Sequence, residues 1–224
     1  MGLTGLEIFK HLPKTNCKEC GSPTCLAFAM ALASGKASLD ACPYVSEEAK
    51  AALDSASAPP IKLVKVGAGD HAVELGDETE LFRHDKRFFH PTSIAVLISD
   101  TEDAAASAEL FDALEFDRVG LHYVTDMVAV QCASGDAAKF KAAVEAVAGK
   151  TQKAMILIAE DPAVMEAALP AVKDRNPLVY AANAGNYEKM VELAKANNCP
   201  LAVKGKDLNE TAELVEKIVA LGYK

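Results

Sequence analysis

Five short apolar runs recur between residues 94 and 203, and each is followed by a stretch with helical periodicity. The runs are Ile94–Ser99, Met127–Cys132, Met155–Ala159, Leu178–Ala181 and Leu201–Val203. The helical stretches are Ala105–Leu114, Asp136–Ala148, Pro162–Val172, Tyr187–Ala196 and Asp207–Leu221. Uninterrupted apolar runs are typical of parallel strands that are buried on both faces. The alternation predicts an α/β fold with five βα units, arranged as an open doubly wound sheet or as an incomplete barrel.

The last helical stretch has clear end signals. Asp207-Leu-Asn-Glu210 resembles a capping box, and Gly222 lies where the helix should end. Apolar residues also recur along it at helical spacing: Leu208, Ala212, Val215 and Val219. We expect this stripe to face the core.

Two shorter strand candidates, Ile61–Val66 and His71–Leu75, precede the repeats and predict a hairpin or a pair of entry strands. Upstream of them, residues 55–60 consist of small side chains and a Pro-Pro pair, which is the composition of a linker. We therefore predict a first domain at residues 1–57, a linker at 58–62 and a second domain at 63–224. Six extended residues span about 20 Å, so we hypothesise that the first domain can swing.

Four of the six cysteines lie in one short stretch with the spacing C-x2-C-x4-C-x16-C-P: Cys17, Cys20, Cys25 and Cys42. In a cytosolic chain, such a cluster indicates metal binding or redox chemistry before disulfides. Ser22-Pro23 predicts the start of a helix over residues 24–34, with Ser22 as its N-cap. Cys25 would then lie at a helix N-terminus, where free N–H groups and the helix dipole stabilise an anionic group.

Three interpretations of this motif compete. Cubane iron–sulfur clusters are held by four thiolates, and the spacing favours a [4Fe-4S] cluster. Zinc ribbons usually have two closely spaced cysteine pairs, whereas only one pair is close here, yet zinc and disulfides remain open alternatives. Cys132 and Cys199 lie outside the motif, and we expect them to be small buried side chains.

Charge and hydropathy exclude several classes of function. The chain has 23 basic and 32 acidic residues, and its formal net charge is -9. Nucleic acids and anionic membrane surfaces select basic patches, so neither is an expected partner. The longest apolar run is Leu26–Ala33, far short of the ~20 residues of a membrane helix, and the N-terminus does not resemble a signal peptide. We expect a cytoplasmic protein.

Several segments resemble one protein family, the large (gamma) subunit of the corrinoid iron–sulfur protein of the acetyl-CoA (Wood–Ljungdahl) pathway. The first is residues 3–64, which contain the cysteine motif. The motif by itself is shared with other electron carriers, and the segment GDETELFRHDKRFFHPTSIAV discriminates best. FDRVGLHY and NNCPLAV extend the resemblance along the chain.

The resemblance implies a mobile [4Fe-4S] domain, a (β/α)8 TIM barrel and a corrinoid-binding domain, in a heterodimer with a smaller barrel subunit. Such a protein carries methyl groups from methyltetrahydrofolate methyltransferase to CO dehydrogenase/acetyl-CoA synthase during carbon fixation. Its cluster transfers an electron that reactivates Co(II) to Co(I). On the motif match, the cluster ligands are Cys17, Cys20, Cys25 and Cys42. This chain would act mainly as an electron-transfer and carrier subunit of a methyltransferase system.

The chain departs from the family pattern in length. It stops after about five βα units, so we expect a truncated barrel and no corrinoid-binding domain, and we assign no corrinoid to this chain. Two alternatives remain. One is a [4Fe-4S] electron-transfer subunit of another redox complex, and the other is a zinc-stabilised interaction module.

Overall fold

The computed structural model describes residues 4–34, 36–47, 49–50, 53, 61–77, 90 and 92–223. The chain divides into two compact units, Met1–Lys62 and Leu63–Lys224. Residues 58–60 of the predicted linker 58–62 lie outside the described residues, as does most of the GDETELFRHDKRFFH segment.

The first unit is mainly helical. Helix α1 spans Gly5–His11 and begins with a capping box in which Thr4 and Glu7 bond reciprocally. Helix α2 spans Cys25–Ala33 and packs against α1. The predicted N-cap was wrong by two residues, because the hydroxyl of Thr24, rather than Ser22, accepts the N–H of Ala27.

A single apolar cluster forms the interior of this unit. Phe28 and Ala29 of α2 are almost fully buried at its centre. The cluster consists of Ile8, Leu12, Cys25, Phe28, Ala29, Cys42, Val45, Ala49 and Leu53. Two cysteines of the motif therefore belong to the core of the first unit.

The second unit contains a five-stranded parallel sheet. Its strands are β3 (Ala95–Ser99), β6 (Met127–Gln131), β7 (Ala154–Ile158), β8 (Leu178–Ala182) and β9 (Leu201–Val203). The helices that follow them are α3 (Ala104–Asp112), α4 (Ala137–Lys150), α5 (Pro162–Ala168), α6 (Tyr187–Asn197) and α7 (Leu208–Ala220). The strand order is β3-β6-β7-β8-β9, which confirms the predicted α/β fold with a parallel sheet.

The strand order bears on the two windings that the sequence left open. Among the described strands, the order in the sheet follows the order in the chain, without the reversal that defines a doubly wound sheet. Right-handed crossovers in this order place all connecting helices on one face. Successive helices accordingly pack against one another, and Ile98, Val130 and Leu157 are fully buried beneath them.

Two antiparallel hairpins accompany the sheet. Strands β1 (Val64–Val66) and β2 (Val73–Leu75) pair as the sequence predicted. Strands β4 (Glu115–Arg118) and β5 (Leu121–Val124) form a second hairpin that the sequence analysis missed. All eight of its strand residues are exposed, so the hairpin lies outside the buried apolar runs on which the strand predictions rested.

Two helix predictions need correction. Helix α5 ends at Ala168 and is followed by a 3-10 turn, Leu169–Ala171, because Pro170 has no N–H with which to continue the helix. In α7 the predicted apolar stripe is wrong. Leu208 is 88% exposed and Val219 is 58% exposed, whereas Leu214 and Ile218 are buried.

Candidate functional site

The cysteine motif lies on the loop that enters α2 and on the segment that follows it. All of its members are free thiols: Cys17 is exposed, Cys20 is partly buried, and Cys25 and Cys42 are buried. Cys20 packs against the apolar cluster to which Cys25 and Cys42 belong. The first unit therefore brings three of the four predicted ligands to one small core.

The backbone of this loop has an uncommon conformation. Lys14, Asn16, Lys18 and Gly21 all have positive φ angles, between 50° and 77°. Residues with a left-handed backbone that alternate with right-handed ones turn successive N–H groups toward one concave surface. Such surfaces bind anions, including many iron–sulfur clusters. Three of the four are not glycine, so each has a conformation that costs energy in isolation.

Asn16 connects the loop to helix α2 through two hydrogen bonds. Its side-chain Oδ1 accepts the backbone N–H of Cys25 at 2.8 Å. Its own backbone N–H donates to Sγ of Cys25, with 3.4 Å between N and S. Cys25 is the first residue of α2, so its N–H has no partner within the helix. The sequence analysis missed Asn16, although its position directly before Cys17 is a local signal.

Tyr44 makes a second connection across the site. Its hydroxyl donates to Oε1 of Glu19 at 3.0 Å, which joins the turn between Cys17 and Cys20 to the segment after Cys42. The hydrogen bond to Glu19 and the charge of that carboxylate raise the pKa of the Tyr44 phenol. Burial and, to a smaller extent, charge on the thiols of Cys17 and Cys42 also raise the pKa of this phenol.

The four thiols of the motif are not arranged as ligands around one common point. Among the residues that the structure describes, no three His, Cys, Asp or Glu side chains are grouped as ligands of one metal ion. The donor set nevertheless fits a thiolate-held cluster. It offers four free thiols, a helix N-terminus at Cys25 and an N–H that donates to the sulfur of Cys25.

The two remaining cysteines lie in the second unit. Cys199 is buried, and burial raises the pKa of its thiol to about 11. Cys132 is partly buried beside Asp100, and burial raises its pKa too. It lines a cleft of about 610 Å³ at the carboxyl edge of the parallel sheet. A thiol with a raised pKa is a poor nucleophile and a poor metal ligand at neutral pH.

His122 lies on the exposed β4–β5 hairpin. Its ring nitrogen Nδ1 is 2.9 Å from Oδ1 of Asp117, and Nε2 is 3.6 Å from Oε2 of Glu115.

In the part of the chain that the structure describes, no helix is both long enough and apolar enough to cross a membrane.

Two family models match the chain. Residues 63–224 match the model described as CO dehydrogenase/acetyl-CoA synthase delta subunit. Residues 12–44, which contain the cysteine motif, match the model described as "Putative Fe-S cluster".

Curated relatives extend the similarity to the entire chain. The chain is 61% identical over 227 aligned residues to the corrinoid/iron-sulfur protein large subunit of Moorella thermoacetica, covering 100% of this chain and 51% of that protein. It is 38% identical to acetyl-CoA decarbonylase/synthase complex subunit gamma 2 of Methanosarcina mazei, covering 98% of this chain and 48% of that protein. The chain thus spans about half the length of the curated relatives it matches.

The longer of the two family matches covers well over half of the chain. The alignments to these relatives cover both units of the chain. The chain therefore belongs to the family of CO dehydrogenase/acetyl-CoA synthase delta subunits, and over its whole length it is similar to the large subunit of a corrinoid/iron–sulfur protein.

Proposed function

We propose that this chain holds a [4Fe-4S] cluster on Cys17, Cys20, Cys25 and Cys42 and serves as the electron-transfer part of a corrinoid/iron–sulfur methyl carrier. The observation that carries the proposal is the attachment of the cysteine loop to α2 by Asn16. The match of residues 12–44 to an Fe–S model and the name of the Moorella thermoacetica relative support it.

The chain's own residues would hold and insulate such a cluster. When bound, the cluster supplies one electron, which returns a Co(II) corrinoid to Co(I). The buried Cys25 and Cys42 anchor one side in the apolar core of the first unit. The exposed Cys17 leaves the other side near the surface, where a short electron-transfer distance to a partner is possible. The N-terminus of α2 stabilises negative charge beside Cys25.

The proposal divides the work between the two units. Residues 1–57 carry the cluster, residues 58–62 connect the two units, and residues 63–224 form a scaffold. The strand order without reversal and the helices on one face are the winding of a (β/α)8 TIM barrel, so we propose that the scaffold is of the barrel type. No residue of this chain is assigned to the corrinoid.

We propose three protein partners for the whole carrier. They are a smaller subunit, a methyltetrahydrofolate methyltransferase that supplies the methyl group, and a CO dehydrogenase/acetyl-CoA synthase that receives it. The Methanosarcina mazei relative is named as a subunit of an acetyl-CoA decarbonylase/synthase complex, which supports an assembly of this kind.

Metal analysis of anaerobically purified protein tests the cluster. We expect about four irons and four acid-labile sulfides per chain, with a cubane EPR signal after reduction. Replacing any one of the four motif cysteines by Ser should remove at least half of the iron. Cys132→Ser and Cys199→Ala are matched controls and should keep the full iron content, since both thiols lie in the second unit.

Two results would contradict the proposal in different ways. One zinc and no iron per chain would replace the cluster with a structural metal site. A chain that holds the cluster but leaves a supplied Co(II) corrinoid protein unreduced would retain the site and overturn the electron-transfer role.

A further inference from the structure

The backbone N–H of Cys25 has no hydrogen-bond acceptor within α2. Cys25 is the first residue of the helix and is only 6% exposed, so its N–H is separated from water and lacks a helical partner. The N-cap hydroxyl of Thr24 is directed to the N–H of Ala27 instead. A buried N–H without a partner costs about 1–3 kcal/mol, so this position needs an acceptor from elsewhere.

Asn16 supplies that acceptor from nine residues upstream. Its side-chain Oδ1 lies 2.8 Å from the N–H of Cys25. The left-handed backbone of Asn16, with φ of 50°, turns its own N–H toward Sγ of the same cysteine. Asn adopts this conformation at lower cost than most residues, because its short polar side chain bonds locally. One residue thus fixes both the backbone and the sulfur of Cys25.

The same contact restrains the neighbouring ligand. Asn16 directly precedes Cys17, so a loop attached at Asn16 also limits where the Cys17 thiol can lie relative to Cys25. A hydrogen bond to a ligand sulfur withdraws charge from it and favours the more negative, reduced state of a cluster. Its loss therefore lowers the reduction potential.

We propose that Asn16 is a positioning residue for the cluster: it locks Cys25 and Cys17 in place for cluster assembly and keeps an N–H donor on the Cys25 sulfur. This inference rests on the proposed cluster. It goes further by assigning the retention and the potential of that cluster to a residue that is not a ligand.

Three variants of the whole protein, purified anaerobically, separate the contributions. Asn16→Gly keeps the left-handed backbone accessible and removes only the acceptor. Asn16→Asp keeps an acceptor of the same shape. Asn198→Gly is the matched control, because Asn198 is also left-handed, with φ of 53°, but ends α6 in the second unit.

We expect Asn16→Gly to lose its cluster absorbance in air at least twofold faster than the unaltered protein. Its remaining cluster should have a lower midpoint potential, because a loop released from the N–H of Cys25 no longer holds the backbone N–H of residue 16 against the Cys25 sulfur. Asn16→Asp should restore cluster content and lifetime, and Asn198→Gly should match the unaltered protein in both. A change that only weakened folding would lower the cluster content without shifting the midpoint potential of the clusters that remain, so the potential separates positioning from folding.

Each failure has a distinct signature. If Asn16→Gly and the unaltered protein have equal cluster lifetimes and potentials, Asn16 is not a positioning residue, while the proposed function stands. If Asn16→Asp loses the cluster as Asn16→Gly does, the acceptor is not what holds Cys25, and the inference is also overturned. If the unaltered protein contains no iron–sulfur cluster, the proposed function fails and this inference fails with it.

Discussion

Asp100 is a buried carboxylate whose role is visible at the level of single atoms. It follows β3 and accepts the N–H groups of Ala133 and Ser134 at 2.9 and 3.0 Å, and the hydroxyl of Ser134 at 2.5 Å. Burial raises the pKa of this carboxyl, but the bonds from Ser134 and Ala133 outweigh burial and leave the pKa lowered. Asp100 thereby joins the end of β3 to the loop after β6.

The lowered pKa predicts a pH-dependent stability. The contribution of Asp100 is present above the unfolded-state pKa of 3.8 and is lost as the pH falls through the lower, folded-state value. Asp100→Ala leaves two N–H groups without an acceptor and should reduce the free energy of unfolding by about 2–4 kcal/mol at pH 7. Urea unfolding between pH 7 and pH 3 measures both effects.

Asp100→Asn is the control for charge, because its amide oxygen still accepts one of the backbone N–H groups. Its difference from the unaltered protein should shrink as the pH falls below 3.8. A difference that stays constant from pH 7 to pH 3 would show that the carboxylate charge contributes nothing.

The hairpin of β1 and β2 illustrates how one glycine sets the position of an element. Gly67 follows β1 with φ of +95°, and its N–H donates to the carbonyl of Asn176 at 2.9 Å. A Cβ at this position would lie 2.8 Å from the carbonyl oxygen of His71 and 2.9 Å from Cβ of Ala154. The hairpin can therefore approach β7 only because residue 67 has no side chain.

Gly67→Ala should lower the free energy of unfolding by about 3 kcal/mol, because it adds overpacking to the cost of a positive φ. Gly69→Ala is the matched control, since Gly69 has φ of +59° and nothing within 4 Å of its Cβ position. It should cost only the conformational part, about 1–2 kcal/mol. Equal losses in the two variants, measured by thermal unfolding, would remove the close approach as an explanation.

At the scale of the whole molecule, the two units have separate cores among the described residues. Phe28 is 1% exposed in the cluster that contains Cys25 and Cys42, and Phe140 is 0% exposed in the cluster between the sheet and its helices. The support of the cysteine motif should therefore depend on the first core and not on the second.

Phe28→Leu and Phe140→Leu test this separation with the same change of side chain. Each should destabilise its own core by about 1–2 kcal/mol. Iron content per chain should fall at least twofold in Phe28→Leu, because the walls around Cys25 and Cys42 loosen, and should be unchanged in Phe140→Leu. Equal iron losses in the two variants would show that the second core also supports the motif.

The sequence by itself determined the elements that depend on local chemistry. Continuous apolar runs predicted both ends of each of the five parallel strands to within one residue, because a buried strand has to be apolar on both faces. The capping box of Thr4 and Glu7 at the start of α1 is equally local, because it needs only two residues that lie three apart. The spacing of the cysteines defined the candidate ligands, although their role stays a prediction.

Only the tertiary structure decided what depends on contacts between distant residues. The sequence of α7 has apolar residues on two sides, and periodicity alone does not show which side is buried. In the folded protein Leu214 and Ile218 are buried, whereas the predicted Leu208 and Val219 are exposed. The winding of the sheet follows from which strands pair, which no single segment encodes. The attachment of Asn16 to Cys25 likewise requires a left-handed loop folded back on a helix start nine residues later.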